Sequence, residues 1–140
     1  MTRTTLNRTA AALFAATAAL GVTLPAPALA SGAISIELTP GSEDERRAMR
    51  AGLAIYAITQ GIRSGAHTHQ NGHGNAAAIR QAAAAGNLGT IHQDGNGHAA
   101  SLDQQGTAQA YGIFQFGNNA NAHVAQSGNH DTGVLIQFGW

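Results

Sequence analysis

Gln70-Asn71-Gly72-His73-Gly74-Asn75-Ala76-Ala77-Ala78-Ile79-Arg80-Gln81 begins and ends on glutamine, and the interval it marks recurs to the end of the chain. Gln70, Gln81, Gln93, Gln104, Gln115, Gln126 and Gln137 stand 11, 12, 11, 11, 11 and 11 residues apart. Two residues before them stand Ile79, Ile91, Leu102, Ile113, Val124 and Leu135, with Thr68 in that place before Gln70. Two residues after most of them stands glycine: Gly72, Gly95, Gly106, Gly117, Gly128 and Gly139. A fixed short period is the mark of stacked repeats, and it takes precedence over any local reading.

Within a unit, the glutamine and the residues two and four places before it share one parity, as in Ala100, Leu102 and Gln104. Alternation of this kind predicts a short strand with those side chains on one face. Glycine follows, then a polar residue such as Asn75, His98, Gln109 or Asp131, a composition suited to a tight turn. Gly72, Asn75, Gly95, Gly106, Gly117 and Gly128 are therefore assigned to turns. The Gln81–Gln93 unit is one residue longer, and Gly86 with Asn87 is expected to absorb the excess. Two units make a coil of about 22 residues, so alternate strands stack into a two-sheet β-solenoid at the usual spacing of about 4.8 Å. The strands ending in Gln70, Gln93, Gln115 and Gln137 form one sheet, and those ending in Gln81, Gln104 and Gln126 form the other. Inside, aliphatic side chains stack on aliphatic ones, and each glutamine amide bonds to those above and below. A ladder is needed there, because a buried amide left unpaired costs roughly 1–3 kcal/mol.

The 140 residues leave room for one ordinary domain. Residues 1–30 read as a signal peptide: Arg3 and Arg8, the apolar run Ala10–Leu24, and Ala28-Leu29-Ala30 before Ser31. A retained anchor is the lesser alternative, because the run falls short of the roughly 20 apolar residues a span needs. No later stretch of the mature chain is apolar enough to span. From Ser31 onward five arginines and no lysine face seven acids, a formal charge of about −2. That balance argues against nucleic acid, which requires basic patches. With no cysteine, an exported chain of this size needs another source of stability. Backbone pairing and side-chain ladders supply one.

Residues 31–63 form a separate N-terminal segment. Ile34, Ile36 and Leu38 alternate as in a strand, closed by Thr39-Pro40-Gly41. Ser42 and Glu45 stand at capping-box spacing, so an amphipathic helix is predicted over 43–60. Two apolar rows occur on it, Ala51/Ile55/Ile58/Ile62 and Met49/Leu53/Tyr56. A degenerate first repeat is the alternative, since Ile58-Thr59-Gln60-Gly61 mimics the later units, but Gln60 is out of register.

The repeat domain, 64–140, resembles the curlin repeat. That pattern runs Gln-x-Gly-x-x-Asn-x-Ala followed by an aliphatic residue and another Gln. The unit Gln70–Gln81 fits it in full, and later units keep the Gln and the aliphatic while varying the Asn. The resemblance spans roughly 66–140 and gains specificity from seven units obeying one register. It implies a bacterial protein secreted through the outer membrane that polymerises into extracellular amyloid (curli-like) fibres of biofilms and cell adhesion. Its partners would be copies of itself, a paralogous curlin subunit and the outer-membrane secretion machinery. A minor subunit that nucleates the fibre is the first alternative, and a soluble solenoid acting as a binding module is the second.

An open stack presents unpaired strand edges, which invite a further strand. The last strand, Thr132–Phe138, carries no charge and no proline and is expected to be uncapped and to grow. The segment 31–63 is expected to cover the first strand or delay assembly. On the outer face Phe114, Phe116, Ile136, Phe138 and Trp140 form an apolar stripe, a candidate contact surface. The alternative is that these residues simply favour strand structure. His67, His69 and His73 are weak metal candidates, lacking cysteine or a nearby carboxylate to complete a site. The column His69–His92 suggests stacked charges at low pH. No nucleophile, carboxylate pair or phosphate loop stands in a catalytic context. A structural protein without cofactor is expected rather than an enzyme.

Overall fold

The computed structural model describes residues 32–61, 65–82 and 86–140. The signal-peptide reading of residues 1–30 lies outside them. Seven strands follow the glutamine register: β2 (Ala66–Asn71), β3 (Ala76–Ala82), β4 (Leu88–Asn96), β5 (Ala99–Thr107), β6 (Ala110–Asn118), β7 (Asn121–Asn129) and β8 (Thr132–Gly139). They are preceded by strand β1 (Ala33–Leu38) and helix α1 (Glu43–Thr59).

The repeat strands stack in parallel, in two sheets. One has the order β1-β8-β6-β4-β2 and the other β3-β5-β7. Register is kept throughout: Gln70 lies beside Gln93, Gln93 beside Gln115 and Gln115 beside Gln137. In the second sheet Gln81 pairs with Gln104 and Gln104 with Gln126. The expected two-sheet β-solenoid, with coils of about 22 residues, is therefore what the chain forms. Its core is the stack Ile91, Leu102 and Ile113 with Ala100, Tyr111 and Ala122, flanked by Ile79, Val124 and Leu135.

Two local details differ from expectation. The strands β4–β7 are nine residues long, so Gly95, Gly106, Gly117 and Gly128 sit inside strand ends and not in the turns. There they serve close approach. A Cβ on Gly95 or Gly106, with φ of +130° and +128°, would overlap the carbonyl oxygen of Gly117 or Gly128 in the next coil. The true corner lies further on, at Gly74, Gly86, Gly97, Ala108, Asn119 and His130, all left-handed with φ between 55° and 73°. Ala108 bears the steric cost that glycine avoids there. Ala108→Gly is accordingly expected to stabilise the fold by about 1 kcal/mol, the relieved strain less glycine's gain in unfolded freedom. A lower urea midpoint for that variant would contradict the assignment.

Helix α1 begins as the capping signal predicts. Ser42 Oγ accepts from the Glu45 N–H at 3.2 Å, and Glu45 Oε2 accepts from the Gly41 N–H at 2.7 Å. Glu43, Asp44 and Glu45 all fall in its first turn, where the helix dipole favours negative charge. Of the two apolar rows, the one through Leu53 and Tyr56, with Ala57, faces the outer surface of the first sheet. Leu53 and Ala57 are buried, while Ile55 and Ile58 stay in solvent. Gly112 decides the choice: it has no side chain, and a Cβ there would meet Leu53. Tyr56 packs edge-on against Phe114, with ring centroids 5.3 Å apart. Arg50 donates to the carbonyls of Gly86 and Ala108, tying the helix to two corners of the solenoid.

The expectation of an uncapped last strand is corrected. β1 lies antiparallel against β8, from Ala33 beside Gly139 to Leu38 beside Val134. The N-terminal segment therefore covers the end of the stack and not its beginning.

Candidate functional site at the ends of the stack

The glutamine ladder is directional. Gln70 Nε2 donates to Gln93 Oε1 at 2.7 Å, Gln93 Nε2 to Gln115 at 2.8 Å and Gln115 Nε2 to Gln137 at 2.7 Å. In the other sheet Gln81 Nε2 donates to Gln104 and Gln104 Nε2 to Gln126, both at 2.8 Å. The second N–H of Gln81, Gln93, Gln104, Gln115 and Gln137 crosses the core to a backbone carbonyl, as in Gln93 to Ala76 and Gln115 to Ala99. A planar amide with two donors and one carbonyl is thereby satisfied inside a dry stack. The corners carry a second ladder: Asn75 Oδ1 accepts the His98 N–H, Asn87 Oδ1 the Gln109 N–H, and His98 Nδ1 the Ala120 N–H. His98 is thus an interior acceptor, and Asn87 plays the part of Asn75 despite the inserted residue. The polar residue after each glycine had suggested a turn; its hydrogen bonding to the next coil shows only in three dimensions.

Such a ladder leaves unlike ends. At the N-terminal end β2 and β3 are edge strands, Gln70 is exposed, and Gln70 Oε1 and Gln81 Oε1 accept no hydrogen bond among the described residues. At the C-terminal end the two sheets differ. β8 is covered by β1, and Gln137 Nε2 donates to Ser35 Oγ at 2.9 Å. Among the described residues β7 is a free edge, and there Gln126 Nε2 is buried without a partner. Gly128 on the same edge has open space where Gly106 meets the next strand. The structure therefore sets donors at one end of the ladder and acceptors at the other.

The outer stripe is only partly available. Phe114 and Ile136 are half-covered, and Tyr56 of α1 packs on Phe114. Phe116 stacks on Phe138 at 5.4 Å, and Phe138 and Trp140 remain exposed beside Ile34. His69 stacks on His92 at 5.0 Å with the rings 17° apart. Neither His67 nor His73 completes a group of three metal-binding side chains among the described residues. No described helix is long and apolar enough to cross a membrane.

Burial lowers the pKa of His92, and the neighbouring His69 and His67 push it the same way against the opposing charge of Asp94. From α1, Tyr56 OH lies 3.1 Å from His92 Nδ1. The unfolded chain, with its imidazole near 6.5, takes up the proton first. Stability is therefore expected to be flat above about pH 6.5 and to fall as pH drops through it toward the lower folded value. Urea midpoints at pH 7.5 and 5.5 should differ less in His92→Phe than in the parent chain; an unchanged difference would clear His92 of the effect.

No family model matches the chain, and neither does a curated protein or a solved structure.

Proposed function

We propose that this chain is a structural subunit that stacks on copies of itself, each new copy adding the next coils of one continuous solenoid. The observation that carries the proposal is the pair of unlike ladder ends: the Gln126 donor on β7, unpartnered among the described residues, and the vacant Gln70 acceptor on β2. Laying β2 of a second copy on β7 places Gln70 over Gln126 and Thr68 over Val124, and its β3 then follows over β8, so the strands go on alternating between the two sheets in the observed register. An interface between two different surfaces of the same molecule does not close on itself and grows a filament. The product is cross-β, with strands at 4.7–4.8 Å along the fibre.

The likeness of its units to the curlin repeat supports the finer reading. On it, residues 1–30 direct export, and the mature chain forms extracellular curli-like amyloid fibres for biofilm matrix and cell adhesion. An outer-membrane secretion apparatus and a paralogous subunit are its partners. The exposed Phe138 and Trp140 favour one variant of this reading, a minor subunit that docks on and nucleates another. Seeding of the paralogue distinguishes the two.

Protein starting at Ser31, held at neutral pH with fragmented fibres as seed, is expected to elongate by thioflavin fluorescence and electron microscopy. A chain that stays monomeric in sedimentation, seeded or not, would contradict the proposal and leave a soluble solenoid that binds something else.

A further inference from the structure

We infer that β1 is a displaceable plug, occupying the seat that β3 of a second copy takes when the solenoid grows. The inference rests on the stacking proposed above and adds how that stacking is held back.

The inward side chains of β1 imitate a next coil with chemistry that cannot be continued. Ser35 stands beside Gln137 and takes its amide hydrogen bond, where the ladder would place a glutamine. Glu37 stands beside Leu135, where the repeat would place an aliphatic side chain, and its carboxylate accepts from Tyr111 OH at 2.9 Å. Tyr111 reaches it across Gly133, which leaves room for the ring. Burial, helped by the Glu37 hydrogen bond and charge, pushes the Tyr111 pKa far up, so the phenol remains a donor. An inward-pointing charge on an edge strand is one of the devices by which sheets refuse further strands. The direction of β1 does the same, being antiparallel at the end of a parallel stack. Trp140 N–H donating to Gly32 O at 2.8 Å closes the far end of the plug.

The exchange is close in length: β1 has six residues and β3 seven. In the register of the stack, β3 of an incoming copy sets Gln81 over Gln137, Ile79 over Leu135 and Ala77 over Gly133. The Ser35 bond is replaced by a glutamine bond, and Glu37 returns to water. The neighbouring β7 needs no such exchange, because its edge is free and Gln126 already lacks a partner. The incoming copy thus docks first by β2 on β7, and its β3 then displaces β1. Helix α1 stays anchored through Arg50, Leu53 and Tyr56, so the released plug remains tethered by residues 39–42.

The chain has no cysteine, so a single bridge can lock the plug. Ile36 and Ile136 are directly paired, and the double variant Ile36→Cys/Ile136→Cys joins them when oxidised. Growth from a C-terminal end requires the plug-released fraction, so the oxidised protein is expected to elongate about tenfold or more slowly than the same protein reduced. Its β2–β3 end is untouched, so a small proportion of it added to the cysteine-free chain should terminate fibres and shorten them several-fold. Ile36→Pro, which breaks β1, should shorten the lag of the full mature chain. Oxidised and reduced protein elongating alike would overturn the plug and leave stacking intact. Failure of the wild-type, reduced and Ile36→Pro chains alike to form fibres would overturn the stacking and the plug with it.

Discussion

Gln104→Glu is expected to destabilise the fold by about 3–5 kcal/mol at pH 7 and to recover much of that loss near pH 4. Gln104 is fully buried, accepts from Gln81, and donates to Gln126 Oε1 and, at 3.2 Å, to the Leu88 carbonyl. An ionised carboxylate there can still accept from Gln81 but offers no proton to Gln126 or Leu88. It sets negative charge against two carbonyl oxygens in a dry interior, where an uncompensated charge is most costly. Burial raises the folded pKa of such a carboxyl above its unfolded value of about 4.3. Stability is then fully present below the unfolded pKa and lost as pH rises through the folded one. Protonated, the group donates once and accepts once, as the ladder requires. Guanidinium midpoints of variant and parent at pH 4 and 7 give the penalty at each pH. A penalty equal at both would mean that the ladder bonds carry little of the stability.

Gly106→Ala and Gly128→Ala separate what the monomer needs from what the filament needs. Both residues have positive φ, +128° and +104°, which L side chains rarely adopt. At Gly106 the new Cβ also collides with the Gly128 carbonyl of the next coil, so a loss of about 3 kcal/mol or more is expected. At Gly128 nothing lies within 4 Å, so only backbone strain of about 1–3 kcal/mol applies. The same edge is where a second copy is laid, and there the added methyl meets the incoming backbone. Gly128→Ala should therefore fold, by circular dichroism and sedimentation, yet fail to elongate on seeds. Normal elongation by that variant would place the growing edge elsewhere.

These contrasts show which features a one-dimensional pattern carries. The seven-glutamine register, the aliphatic position and the pairing of alternate strands were legible because each coil places equivalent residues in equivalent surroundings. Ser42 and Glu45 likewise announce the helix start, since capping involves only residues next to one another in sequence. The face of α1 was not legible: the rows through Ile55 and Leu53 are equally helical, and the gap above Gly112 chooses between them. Nor was the seat of β1, whose bond from Gln137 to Ser35 joins residues 102 apart. At the corners, Ala108 and His130 adopt the conformation that Gly74 and Gly97 adopt, so residue type hid a position the backbone keeps constant. The ladder residues were therefore visible, but the condition of its ends was not. That condition decides what the protein can do: Gln126 is unpaired, Gln137 is quenched by Ser35, and the acceptors of Gln70 and Gln81 are vacant among the described residues.

Head-to-tail stacking in register is tested most directly by cross-linking between copies. Ala125 precedes Gln126 on the exposed face of the second sheet as His69 precedes Gln70 on β2, so Ala125 of one copy should neighbour His69 of the next. Their Cα atoms would be about 4.8 Å apart, within reach of a disulfide. Fibres grown from an equal mixture of Ala125→Cys and His69→Cys chains are predicted to oxidise to 125–69 dimers. Dimers joined 125–125 or 69–69, or fibres that yield no cross-link, would contradict the stacking.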